Sequence, residues 1–359
     1  MELLLFAAAI AIAVSNGAND NFKGFATVWG SGTLSYRKAL ALATVATVAG
    51  SLASWAIASG LVEQFSGKGL VPDAVAHAPL FILSVGAGAT VAVALATRLG
   101  FPISTTHALI GGLVGAGMAQ EGGQVHLVQL TNAFVLPLLV SPVVAAILGM
   151  VAHRLIKLRP VRNDCACVVA PQPVPLMTVS AAAAGQMTLP HLMIASDAAC
   201  DRVPVQARTS ISGSLDKLHT LSAMSICFAR GVNDTPKLTA LLIAAHLVNA
   251  GSSVVLMAVA MGIGGVLFAR KVAHTMSQRI TRMDHAQGLA ANLITAGLVL
   301  FASKLGMPVS TTHVAVGSIG GVGASAGALD RQALRNILLS WIATLPVAAG
   351  AAWLISRLG

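Results

Sequence analysis

The chain has 359 residues, 56% hydrophobic and 9% charged, with a mean hydropathy of +0.81 and a formal charge of +10. Soluble domains carry about 25% charged residues, so this is the composition of an integral membrane protein. The positive charge does not indicate nucleic-acid binding, because the Lys and Arg residues lie in loops between apolar tracts, where they set topology.

The first predicted element covers about residues 2–34. Its start, Met1-Glu2-Leu3-Leu4-Leu5, lacks the basic region of a signal peptide, so the apolar run is expected to be retained. Residues 2–16 would rise only about 22 Å as a helix, short of the ~30 Å hydrocarbon core, and Gly17-Ala18-Asn19-Asp20 is expected to break the helix inside the membrane. Spans follow at 38–61 and 79–98, then a Gly-rich element at 103–120 and a span at 132–156. This element and the later one at 310–327 are expected as full spans or as re-entrant hairpins.

Residues 159–216 carry prolines at 171, 173, 175, 190 and 204 and mixed charges, which argue for a cytoplasmic connector. Its Cys165-x-Cys167 pair and nearby Cys200 are expected to be ordinary reduced thiols, a metal or redox site being the alternative. Five further elements are expected at 217–249 (with a break at 231–234), 252–270, 287–305, 310–327 and 335–357. The chain thus divides into a first membrane repeat, 1–158, the linker 159–216, and a second membrane repeat, 217–359.

Two motifs recur. Gly17-Ala18-Asn19-Asp20-Asn21-Phe22-Lys23 matches Gly231-Val232-Asn233-Asp234-Thr235-Pro236-Lys237 at an offset of 214, and Pro102-Ile103-Ser104-Thr105-Thr106-His107 matches Pro308-Val309-Ser310-Thr311-Thr312-His313 at 206. Asn132 and Pro142 match Asn336 and Pro346 at 204, so the duplication reaches the last helix of each half. Basic clusters at Arg37-Lys38, around Arg154–Arg162 and around Arg270–Arg282 place those loops in the cytoplasm and the loop 62–78 outside. An odd number of crossings per half then inverts one half relative to the other. The expected fold is an all-α polytopic membrane protein of two inverted-topology repeats with discontinuous helices, about 10–12 membrane elements in all.

Of 12 acidic residues, Asp20 and Asp234 alone are expected deep in the membrane, where an ionisable group is costly and functional by default. Lys23 and Lys237 lie three residues on, sharing a helical face with each Asp, and Arg230 adds a cation; the five groups sum to +1. That balance, with helix N-termini nearby, suits a small oxyanion. A pair of buried structural salt bridges is the competing account. Ser104, Thr105, Thr106, Ser310, Thr311 and Thr312 offer hydroxyls to an anion or to Na⁺, or cap the helices they open. His107 and His313 are accessory candidates for titration or hydrogen bonding. Asn19 and Asn233 can bind ligand or satisfy broken backbone, and Gly17 and Gly231 are expected to permit the turn. No catalytic group and no metal site is expected, since acyl-transfer chemistry has no use for two symmetric copies. A passive channel is the third class.

Together the four strings resemble the PiT family of inorganic phosphate transporters. The resemblance covers both halves but not the linker. It implies phosphate bound where the halves meet, coupled to Na⁺ or H⁺, with Asn19, Asp20, Asn233, Asp234 and the Ser/Thr groups as the site, in the plasma (inner) membrane. One departure matters: the family's Na⁺-coupled pattern reads Asn-Asp-x-Ala-Asn, and Lys23 and Lys237 replace that last Asn in both halves. An ammonium has no acceptor and cannot ligate Na⁺. Proton-coupled symport is therefore expected, with Na⁺ coupling and sulfate as alternatives; lipid is the expected surround, and a homo-oligomer is left open.

Overall fold

A computed structural model describes residues 1–120, 125–157, 165–170, 189–280 and 283–359. Contacts divide the chain into two compact units, 1–154 with 219–359, and 155–218. In the larger unit the elements run α1 (Glu2–Asp20), α2 (Ala26–Gly30), α3 (Tyr36–Ile57), the short α4 (Gly60–Phe65) and α5 (Asp73–Ala76), α6 (Pro79–Leu99), α7 (Thr105–Ala119), α8 (Leu127–Leu130) and α9 (Leu136–Lys157). The smaller unit holds strands β1 (Cys165–Val169), β2 (His191–Ala195) and β3 (Val205–Ser210) with α10 (Asp197–Cys200). Then follow α11 (Ile211–Ala244), α12 (Ala250–Phe268), α13 (Arg270–Gln278), α14 (His285–Lys304), α15 (Thr311–Ala326) and α16 (Arg331–Leu358). Among the described residues, seven helical segments are long and apolar enough to cross a membrane.

The expected helix breaks need correction. In the first half the helix runs through Gly17–Asp20, and the interruption falls at 21–25, a turn followed by one 3₁₀ turn. In the second half α11 is continuous across 231–234 and absorbs Pro236. The difference lies after the motif: Gly24 presses on Ala223 and Cys227 of α11, while its counterpart at the same 214 offset is Leu238, a good helix former.

Gly17 and Gly231 therefore serve close packing rather than turning. A Cβ on Gly17 would lie 1.9 Å from the carbonyl oxygen of Met261, and one on Gly231 would lie 2.3 Å from that of Thr47. Met261 and Thr47 are themselves related by 214 residues. So α1 crosses α12 of the other half as α11 crosses α3, and the two halves are packed crosswise.

α7 and α15 have 15 and 16 residues, about 22–24 Å and so short of a bilayer core. Each is a single helix entered from an extended segment, not a hairpin, and most of its residues are buried. Protein thus surrounds the irregular backbone at their starts, as an apolar setting requires. Equivalent loops also pair: His126 N–H donates to the Leu70 carbonyl (2.9 Å) and Asp330 N–H to the Ile280 carbonyl (3.0 Å). The described residues of the linker include a three-stranded antiparallel sheet in the order β2-β1-β3.

Candidate functional site

The starts of α7 and α15 meet the motif segments of α1 and α11 in a buried polar centre. Ser104 and Ser310 cap the two short helices: their Oγ atoms accept the backbone N–H groups of His107 (3.1 Å) and His313 (3.3 Å). Capping turns the Thr105-Thr106 and Thr311-Thr312 hydroxyls into the centre.

Lys23, 2% exposed, donates to the Asn19 amide oxygen (2.8 Å), the Ile103 carbonyl (2.7 Å) and Thr312 Oγ1 of the other half (2.6 Å), and is ion-paired with Asp20. Lys237 repeats the pattern, donating to the Val309 carbonyl (2.9 Å) and to Thr106 Oγ1 (2.8 Å), with Asp234 Oδ1 at 3.5 Å. Thr312 and Thr106 in turn donate to the Ile103 and Val309 carbonyls, at 2.9 and 3.3 Å. Each lysine thus ties its own half to the threonine of the other. In the second half the ammonium also faces the Phe65 ring, 5.7 Å from its centroid.

The motif asparagines hold the extended segments. Asn19 donates to Thr97 Oγ1 (2.9 Å) and the Phe101 carbonyl (3.0 Å), and accepts from Ile103 N–H (3.1 Å). Asn233 donates to the Val309 carbonyl (3.2 Å) and accepts from Ser303 (3.1 Å), the counterpart of Thr97.

Asn16 lies at the middle and escaped the sequence reading. Its Nδ2 reaches Asp20 Oδ2 (3.4 Å), Thr105 Oγ1 (3.0 Å) and Asp234 Oδ2 (3.2 Å), so one amide brings the two aspartates together. Its Oδ1 accepts from Arg230 Nη2 at 2.8 Å. Asn16 and Arg230 are 214 residues apart, so carrying the offset one residue ahead of the motif would have found it. Arg230, 1% exposed, also reaches Asn21 Oδ1 (3.2 Å), Thr47 Oγ1 (3.3 Å) and Asp234 Oδ2 (3.5 Å).

His107 and His313 pack on each other, ring centroids 4.4 Å apart and edge to face, and His313 stacks on Trp341 at 3.8 Å. Trp341 Nε1 donates to the Pro102 carbonyl (3.1 Å). The histidines are thus placed beside the helix starts, without a hydrogen bond to Asp20, Asp234 or either lysine among the described contacts. Beside the centre, a cleft of about 700 Å³ opens between α1, α6, α12 and α13. Thr97 and Ala18 form its wall toward Asn19, and Arg98, Arg270, Lys271 and His274 line it with no carboxylate among the lining residues.

A constellation assembled twice from crossed halves of a membrane-embedded helical unit has the build of a solute carrier rather than of an enzyme: the protein is a polytopic integral membrane transporter. Residues 16–352 match the sequence profile of the phosphate transporter family, and the chain belongs to that family. It is 27% identical over 99% of its length to a Pyrococcus furiosus protein that carries the name of a phosphate permease, covering 94% of it. It is likewise 27% identical over 95% of its length to the chloroplastic inorganic phosphate transporter 2-1 of Arabidopsis thaliana, covering 70% of that protein. Its fold is shared with a solved sodium-dependent phosphate transporter, with a TM-score of 0.77 at 20% identity over 99% of this chain and 98% of the other.

Proposed function

We propose that the protein is a secondary active transporter of inorganic phosphate that couples to protons, with the ammonium groups of Lys23 and Lys237 standing in cation positions. The observation that carries this reading is the shell around Lys23 Nζ: the Asp20 carboxylate, the Asn19 amide oxygen, the Ile103 carbonyl and the Thr312 hydroxyl. An all-oxygen shell around a single charge is the donor set of an alkali cation, and a tethered ammonium excludes a free one by charge and volume. Lys237 has a corresponding shell from Asp234, Val309 and Thr106. Sodium dependence belongs to the solved relative; the lysines are the reason not to carry it over.

Coupling then falls to Asp20 and Asp234. Three buried cations against two carboxylates leave one positive charge; a proton on either carboxylate raises this to two, matching a hydrogenphosphate dianion. The site loaded with anion and proton would thus be neutral, avoiding the cost of holding net charge in the apolar core. The anion site is the pair of helix N-termini bearing Thr105, Thr106, Thr311 and Thr312, where free N–H groups and hydroxyls converge. Arg98, Arg270, Lys271 and His274 concentrate anions in the adjoining cleft. Alternating access would expose the centre by moving the crossed halves against each other.

The test is uptake of labelled phosphate into proteoliposomes. An inward proton gradient in Na⁺-free medium is expected to drive accumulation, and excess sulfate to leave it unchanged. Uptake that requires Na⁺ and ignores the pH gradient would overturn proton coupling. Equal competition by sulfate would reassign the substrate.

A further inference from the structure

We propose that the three-stranded sheet carries a binding site for one soft monovalent metal ion of the Cu(I) type, formed by Cys165, Cys167 and Cys200. The three sulfurs lie within 4.8 Å of one another, all three residues are buried, and all four cysteines of the chain are free of disulfides. Cys165 and Cys167 are two apart on β1, so both point to one face of the sheet, and α10 places Cys200 against them.

The surroundings select the ion. Met193 packs against the cluster and pairs directly with Cys167 across β1 and β2, so its thioether lies on the same face. Arg208 pairs with Cys167 from β3, putting a guanidinium where thiolates would gather negative charge; it is also ion-paired with Asp201. Three thiolates and a thioether form a purely sulfur shell, which favours Cu(I). Zn²⁺ takes four tetrahedral ligands from thiolate, imidazole and carboxylate groups, and among the described residues no fourth group of these kinds joins the three cysteines. Metal entry forms sulfur–metal bonds as thiol protons leave to solvent, with no change of oxidation state. The basic clusters around it predict a cytoplasmic position for this segment, where thiols stay reduced and available.

The experiment titrates the purified full-length protein in detergent, without oxygen, against the chromophoric Cu(I) complex of bicinchoninate. One equivalent per chain should be withdrawn from the chelator. Cys165→Ser, Cys167→Ser and Cys200→Ser should each weaken retention at least tenfold, Met193→Leu less so, and Cys227→Ser, which lies outside the cluster, not at all. Gel-filtration profiles confirm that each variant remains folded, and X-ray absorption of the loaded protein should show a sulfur-only shell. No withdrawal of copper, retention indifferent to Cys167→Ser in a folded variant, or a preference for Zn²⁺ over Cu(I) would each overturn the proposal.

Discussion

Asn16 and Arg230 occupy equivalent positions in the two halves, yet one is neutral and the other cationic, and they hydrogen-bond to each other at 2.8 Å. The duplication therefore closes on itself through an asymmetric pair. That pair is what gives the centre its odd charge: exact repetition would have supplied two arginines or none. Arg230 also neutralises Asp234, whose lysine is farther away than the Lys23 partner of Asp20.

Arg230→Gln should consequently be among the most damaging single changes. It leaves Asp234 with one distant cation and Asn16, Asn21 and Thr47 without their donor. Removing one member of a buried ion pair costs about 3–5 kcal/mol. The expected outcome is a clear drop in melting temperature and at least a tenfold loss of phosphate uptake. Arg230→Lys should recover stability only in part, because a single ammonium cannot reach all three oxygens.

Removing the tethered cations should expose what they replace. The double variant Lys23→Asn with Lys237→Asn restores amide oxygens where the ammonium groups stand. Proton-driven uptake should fall at least tenfold, and a stimulation by Na⁺, absent from the parent protein, should appear in proteoliposomes. If the double variant is folded and wholly indifferent to Na⁺, the oxygen shells are not cation sites.

How far such residues could be read from sequence differed by kind. The duplicated strings, the membrane composition and the partnership of Asp20 with Lys23 were legible, because offset and helical spacing are properties of the chain itself. Asn16 was not, since a lone asparagine in an apolar run has no pattern until its counterpart Arg230 is noted. The break expected at Gly17–Asp20 was misplaced because glycine permits both a turn and a close helix crossing. Only the carbonyl of Met261, from the other half, decides between them. The three-stranded sheet in the linker was hidden by prolines that argued against a membrane helix without specifying any alternative.

The glycine crossings give a symmetric stability prediction. Gly17→Ala and Gly231→Ala each drive a methyl group into backbone that cannot swing aside, at 1.9 and 2.3 Å. Overpacking of this kind costs typically about 1–3 kcal/mol, and both variants should melt below the parent. Gly320→Ala is the matched control: a Cβ there meets nothing within 4 Å, and alanine is the better helix former. Equal melting of Gly17→Ala and Gly320→Ala would show that the crossed packing contributes nothing.

The basic cleft predicts an effect that depends on salt. Arg98, Arg270 and Lys271 are exposed, and the Lys271 ammonium donates to the Arg98 carbonyl at 3.1 Å, tying α13 to the end of α6. Arg270 lies over the Tyr36 ring, 5.8 Å from its centroid, so its guanidinium is held in place at the rim. Exposed charges act on an approaching anion through the local potential, which is screened over about 10 Å at 0.1 M salt and about 3 Å at 1 M. Arg270→Gln with Arg98→Gln should therefore raise the KM for phosphate several-fold at low ionic strength while leaving kcat unchanged. The difference from the parent should vanish in molar salt, with the cleft on the side that faces the assay medium. A fall in kcat that persists in high salt would instead place these arginines in the transport step, and a KM indifferent to both changes would remove the cleft from the anion's route.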